Sequence, residues 1–162
     1  MQLTTHTDYS LRTLMALAVV APEKLTVGEI SEAYGISQHH LLKVVQQLSG
    51  LGYLETTRGK SGGVRLAQPP QQIRIGTLVR QVEPELGLVS CLRSGDEPCV
   101  LAPMCRLSRL LREATEHFLA ELDQHTLGDL IQPKTQIRSL LQLALRTQSG
   151  TRAGKLRIVK SP

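Results

Sequence analysis

All three cysteines of the chain fall in one stretch, CLRSGDEPCVLAPMC, at Cys91, Cys99 and Cys105. The spacing is C-x7-C-x5-C, and three chemistries compete for it. A disulfide leaves one thiol over, and in a reducing compartment grouped cysteines serve metals or redox chemistry more often than bridges. A structural zinc site takes four Cys or His ligands, usually in pairs two to four residues apart; here the gaps are wider and the loop holds no histidine. An iron–sulfur cluster has longer edges than one ion's coordination sphere, prefers thiolates and tolerates irregular spacing. The residue chemistry therefore ranks a cluster above zinc without removing zinc or a thiol-only switch. Three thiolates leave one position to another ligand. Ser94, Asp96, Glu97 and Ser108 are close in sequence, and a group from elsewhere in the chain is the other source. A corner without a thiolate holds iron more weakly and stays open to small molecules, which points to sensing. A cysteine nucleophile would need a base beside it, and the histidines lie outside this loop, so the pattern argues against an enzyme.

The elements that must position this loop begin with a helical pattern from Asp8 to Val20, apolar at Leu11, Leu14, Met15, Ala18 and Val19 and stopped by Pro22. Thr26 and Glu29 form a capping box that opens a short second helix, ended at Tyr34-Gly35 by a glycine suited to the left-handed cap. Ser37 sits where a third helix starts, running to about Leu48. Its apolar face is Leu41, Val44, Val45 and Leu48; Gln38, His39, Lys43, Gln46 and Gln47 fall on the other face, with His40 at the border. Two helices joined by a tight glycine turn, the second with a polar outer face, predict a helix-turn-helix. Strands follow at 52–57 and 64–67 around RGKSGG, a basic hairpin with Arg58, Gly59, Lys60, Gly62 and Gly63. Such a hairpin directly after a helix-turn-helix is a wing. Its glycines permit positive φ in the turn, and they also let backbone N–H groups approach a phosphate that Arg58 and Lys60 neutralise.

Beyond Pro69-Pro70, a helix is expected over 75–83 and a long amphipathic one from Arg106 to about His125, apolar at Leu107, Leu110, Leu111, Ala114, Phe118, Leu119 and Leu122. The DNA-binding half is too small to need that stripe, so a second copy of the chain is its expected partner, and folding back on its own domain is the alternative. Thr126 and Asp129 cap one more short helix, and Pro133 closes the ordered body. Ile137, Leu140, Leu141 and Leu145 suggest a helical turn or two, and disorder is expected from about Thr147. The division read from the sequence is a DNA-binding domain over 1–68, a connecting helix over 69–89, the cysteine loop over 90–105, a dimerisation helix with its cap helix over 106–131 and a basic tail over 132–162.

Composition agrees with a mainly α protein carrying a small β-hairpin wing. Hydrophobic residues are 41% but aromatics only 2%, so the core must be aliphatic. The net charge of +5 is uneven: residues 1–67 hold six Lys/Arg against five acids, 68–133 six against nine, and 134–162 seven against none. The excess is a property of the tail, and high pI alone says little about nucleic acid. No signal-peptide pattern and no apolar run near the roughly 20 residues of a membrane span are present, so a cytoplasmic protein without membrane contact is expected.

Taken together these stretches resemble the NsrR/IscR family of bacterial iron–sulfur transcription regulators. MQLTTHTDYSLRTLMALA is similar to that family's first helix, ISQHHLLKVVQQLSGLGYLETTRGKSGGVRLA to its recognition helix and wing, and TLGDLI to its last helix. The resemblance covers about 1–131 and leaves out the basic tail. It implies a homodimer that binds operator DNA and carries a cluster, 4Fe-4S preferred and 2Fe-2S possible. Where the cluster-biogenesis branch has a histidine three residues after the last cysteine, this chain has Ser108; like the nitric-oxide-sensing branch it has an acid, Asp8, near the start of the first helix. The resemblance implies that Asp8 completes the cluster of the other subunit, beside the plain reading of an acid favouring a helix N-terminus. It further implies a repressor released when nitric oxide attacks the cluster. The first cysteine gap is longer than the family's spacing. Ser37, Gln38, His39, His40 and Lys43, with the wing residues, are the expected DNA contacts, set against ordinary surface roles for the two histidines. An expected dimer would present two recognition helices to half-sites about 34 Å apart or a multiple of it. A regulator reading cluster supply, iron or redox state shares every one of these residues.

Overall fold

The computed structural model describes residues 2–59, 62–92 and 99–141. Its elements run α1 Thr5–Val20, α2 Val27–Tyr34, α3 Gln38–Gly50, β1 Leu54–Thr57, β2 Gly63–Leu66, α4 Ile75–Val82, α5 Arg106–Asp123 and α6 Leu127–Leu130, followed by helical residues at 134–141. Helix and hairpin fall where the sequence places a mainly α chain with a wing.

α1 begins three residues before Asp8, because its start is set by a cap rather than by apolar periodicity. The Thr4 side chain accepts the N–H of Thr7 at 3.3 Å. The helix is the axis of the core: Thr7, Ser10, Thr13, Leu14, Ala16, Leu17, Ala18 and Val19 are all buried, and it packs against α3, α4, α6 and β2. Alanines at 16 and 18 let those neighbours come close.

α2 shows the expected capping box. Thr26 Oγ1 accepts the Glu29 N–H at 3.1 Å while Glu29 Oε2 accepts the Thr26 N–H at 2.7 Å. Gly35 ends it at φ 65°, where only glycine is unstrained. Ser37 stands at the N-cap of α3, but its side chain makes no capping bond. The buried face of α3 is Leu41, Val44, Val45 and Leu48, as its spacing requires.

β1 and β2 pair antiparallel from Leu54↔Leu66 to Thr57↔Gly63. Leu25, in the connection between α1 and α2, adds a bridge to Val64, with N–H···O distances of 3.0 and 2.8 Å. Tyr53 Oη donates to Gln81 Oε1 at 2.6 Å, fixing the base of the wing to α4.

α5 divides. Leu119 is 2% exposed in the core, and Phe118 and Leu122 pack against that core. A Cβ on Gly76 of α4 would lie 2.7 Å from the Leu119 carbonyl oxygen, so glycine there lets the two helices touch. Arg80 pairs with Asp123 at 2.8 Å across the same contact. Within the apolar stripe Leu119 therefore belongs to the chain's own core, while Phe118 and Leu122 are half-buried against it. At the other end Leu107 and Leu110 are 59% and 61% exposed, Ala114 is exposed and Leu111 half-buried. Among the described residues no helix is long and apolar enough to cross a membrane. Leu145 and the residues from Thr147 lie outside the described part.

Candidate nucleic-acid interface and metal centre

α3 turns Ser37, Gln38, His39, His40 and Lys43 outward together, all exposed. The apolar spacing that buries Leu41, Val44 and Val45 leaves these positions no other direction. The His39 and His40 rings lie 6.0 Å apart, and Tyr9 of α1 comes within 6.1 Å of His40. Thr5, His6, Tyr9, His40 and Lys43 line a notch of about 350 Å³ between the two helices. Thr5, His6 and Tyr9 escaped the sequence reading, because their place beside α3 depends on how α1 crosses it. His6 Nε2 bonds to Gln47 Oε1, so α1 and the recognition helix are joined side chain to side chain. Leu42 is 56% exposed on the same outer surface, an apolar group of the kind that meets a thymine methyl.

In the wing, Arg58 and Gly59 are exposed. Among Gly59, Gly62 and Gly63, only Gly59 has positive φ, at 100°. Gly62 is needed for a different reason: a Cβ there would lie 2.6 Å from the Thr57 carbonyl oxygen. Gly63 already belongs to β2. The turn alone thus accounts for Gly59 and Gly62. Arg65 is paired with Glu55 at 2.6 Å, which leaves Arg58 as the exposed wing cation among the described residues. Lys60 lies outside them.

The cysteines sit on short turns at the start of α5. Cys91 lies in the 3₁₀ turn Ser90–Leu92, which packs against α5. Cys99 is exposed, and its carbonyl accepts the Ala102 N–H at 2.8 Å as the next turn, Ala102–Met104, forms. Cys105 is the N-cap of α5, and its Sγ accepts the Ser108 N–H at 3.4 Å. That N–H, then the Ser108 side chain, holds the Cys105 thiol below its ordinary pKa, as a helix N-terminus does for a thiolate. All three thiols are unbridged. Among the described residues no three His, Cys, Asp or Glu side chains stand close enough to share a metal ion. Ser94, Asp96 and Glu97 lie outside the described part. Ser108 Oγ also lies within hydrogen-bond reach of the Cys105 carbonyl, at 3.0 Å. Asp8 is half-exposed and accepts from Arg12 Nε at 2.9 Å. The donor set, three unbridged thiols with one biased towards thiolate, fits an iron–sulfur cluster completed by one further ligand.

The family model described as an iron-dependent transcriptional regulator, Rrf2, matches residues 3–133. The chain belongs to the Rrf2 family. It is a helix-turn-helix transcriptional regulator that acts on DNA and not an enzyme. The chain is 48% identical over 143 residues to the HTH-type transcriptional regulator NsrR of Geobacillus kaustophilus, covering 88% of this chain and 97% of that one. It is 44% identical over 144 residues to the regulator of the same name in Bacillus subtilis, covering 88% and 99%. The fold is shared with Staphylococcus aureus CymR (TM-score 0.64, 21% identity, 80% of this chain and 97% of that one) and with T. potens IscR (TM-score 0.63, 21% identity, 82% and 88%).

One further residue of this Rrf2 regulator bears on the site. Glu83 is 7% exposed. Its Oε2 accepts the Thr4 N–H at 2.9 Å, the Thr4 hydroxyl at 3.2 Å and the Thr7 hydroxyl at 2.6 Å. The carboxylate pins the first turn of α1, just before Asp8, to the end of α4, from which the chain runs on to Cys91. Sequence showed only an acid at a helix C-terminus. Because the macrodipole disfavours that position, the misplaced charge was the available signal.

Proposed function

We propose that the chain is a dimeric repressor whose grip on operator DNA depends on an iron–sulfur cluster held by Cys91, Cys99 and Cys105 of one protomer and Asp8 of the other, and that nitric oxide is its effector. A 4Fe-4S cluster is preferred and 2Fe-2S is the alternative. When bound, that group supplies iron able to take up nitric oxide. The rest belongs to the chain's own residues.

The observation that carries the reading is that α1 serves both ends. Asp8 lies in its first turn. His6, two residues earlier, bonds to Gln47 of the recognition helix. Thr4 and Thr7 are fastened through Glu83 to the segment leading to Cys91. A pull on Asp8 is thus a pull on α3, and its release lets α3 shift against the half-site. Carrying DNA occupancy from 99:1 to 1:99 takes about 5.5 kcal/mol, and each lost base contact supplies about 1–3 kcal/mol. Leu107 and Leu110, exposed on α5 beside the cysteines, are the surface through which the second protomer docks. Phe118 and Leu122 stay with their own core. Ser37, Gln38, His39, His40 and Lys43 take base edges and phosphates, and Arg58, with Lys60, takes the backbone beside them.

The test uses duplex DNA selected from a random-sequence pool by protein purified without oxygen. Nitric oxide is expected to weaken binding at least 100-fold, and Asp8→Ala to abolish the response. An unchanged response in Asp8→Ala overturns the coupling. The family's description as iron-dependent favours a second reading, in which iron or cluster supply is the signal. An iron chelator releasing DNA where nitric oxide does not would select it.

A further inference from the structure

α3 sets one apolar side chain in the middle of its polar face. The helix buries Leu41, Val44, Val45 and Leu48, yet Leu42 is 56% exposed. Gln38 and Gln46 stand one turn before and one turn after it, in the same row along the helix, and His39 and Lys43 flank it; all four are exposed. The Cα–Cβ bond of a helical residue tilts towards the helix N-terminus. Leu42 therefore leans over the first turn of α3, the end of a recognition helix whose residues meet base edges.

A lone leucine on an ordinary surface needs no explanation. This one lies on the outer face of the recognition helix, and its surroundings define what can cover it. The exposed apolar residues near the cysteines come as a group, Val100, Leu101, Met104, Leu107 and Leu110, of the kind a protein partner covers. Around Leu42 the exposed neighbours on α3 are amides, an imidazole and an ammonium, so the apolar spot is no wider than one side chain. In the major groove thymine alone offers a group of that size and character, its C5 methyl; adenine, guanine and cytosine offer donors and acceptors there. A leucine pressed on one of those leaves it without a hydrogen-bond partner, which costs binding. We infer that Leu42 is a specificity residue that packs against a thymine methyl at one fixed position of each half-site. The inference rests on the DNA-binding reading above and names the base that one position of the half-site must hold.

The test removes the methyl without touching the base pairing. A duplex is selected from a random-sequence pool by the full chain purified without oxygen, and its thymines are replaced by deoxyuridine one symmetry-related pair at a time. Burying one methyl is worth about fourfold in affinity, and two half-sites together about 15-fold. One pair of thymines is expected to show that loss with the native chain, and Leu42→Ala to bind the unmodified duplex more weakly by at least as much. At that pair Leu42→Ala is expected to bind the thymine and deoxyuridine duplexes equally, so that the double-mutant cycle assigns the methyl to this side chain. The salt slope stays as it is, because Leu42 neutralises no phosphate. If no thymine pair responds, or if Leu42→Ala keeps the full response, the assignment is overturned. A lower salt slope, or a weaker dimer in sedimentation, overturns it too, because Leu42 then supports the protein instead of reading a base. If the pool yields no enriched sequence with the native chain, the DNA-binding reading falls and the assignment with it.

Discussion

α1 and α5 are the two long helices, 16 and 18 residues, and they are used in opposite ways. α1 buries eight side chains and packs against α3, α4, α6 and β2; α5 buries Leu119 and holds Leu107 and Leu110 out in water. Near the start of α5, Val100 and Met104 are also exposed, at 95% and 90%. α1 is thus part of one core, while the region that carries the thiols presents apolar side chains to water, a surface that the proposed second protomer would cover.

The largest effect that sharpens this contrast is in the core. Leu17→Ala, at a position with 0% exposure, is expected to lower unfolding free energy by about 2–5 kcal/mol in urea titration. Leu110→Ala is expected to change the monomer by less than about 0.5 kcal/mol. Equal costs would erase the difference between the helices. Next, Leu107→Asp with Leu110→Asp is expected to raise the dimer dissociation constant at least 100-fold in sedimentation, with far-UV dichroism unchanged; a dimer of undiminished strength would place the interface elsewhere. Smaller still, Arg58→Ala should reduce the salt slope of DNA binding by about 1 per protomer. Arg65→Ala, whose cation is held by Glu55, should hardly move it.

The smallest effect is a pH shift. In metal-free protein carrying Cys91→Ser and Cys99→Ser, the alkylation rate of Cys105 should rise with a midpoint below that of a free thiol, because the Ser108 N–H and side chain favour the thiolate. A lowered folded-state pKa means that the associated stabilisation is present above the free-thiol pKa and is lost as pH falls through the lowered value. Ser108→Ala removes the side-chain part and should move the midpoint upward.

Much of the DNA-reading half was legible because its signals are local. The Thr26–Glu29 box spans three residues, Gly35 marks its own helix end, and the period of Leu41, Val44, Val45 and Leu48 fixes which side of α3 faces out. The features that sequence missed are long-range. Glu83 meets Thr4 across 79 positions, and nothing near it announces that partner. Leu119 is buried where α5 meets Gly76, far away in sequence, at which a Cβ would strike the Leu119 carbonyl. Gly62 was read as a φ residue when close backbone approach is what demands it. The cysteines were found at once from their grouping. Their fourth ligand is not legible in the same way, because in the reading proposed here it comes from a second protomer.

The central claim is that the thiols hold a cluster between two protomers. Native mass spectrometry of the protein purified without oxygen tests it most directly. The expected species is a dimer with iron and sulfide in a cluster's ratio, two clusters per dimer, lost when Cys99 is changed to Ser. A dimer carrying zinc, or carrying no metal after anaerobic handling, would contradict it and leave a regulator that reads DNA without the sensor.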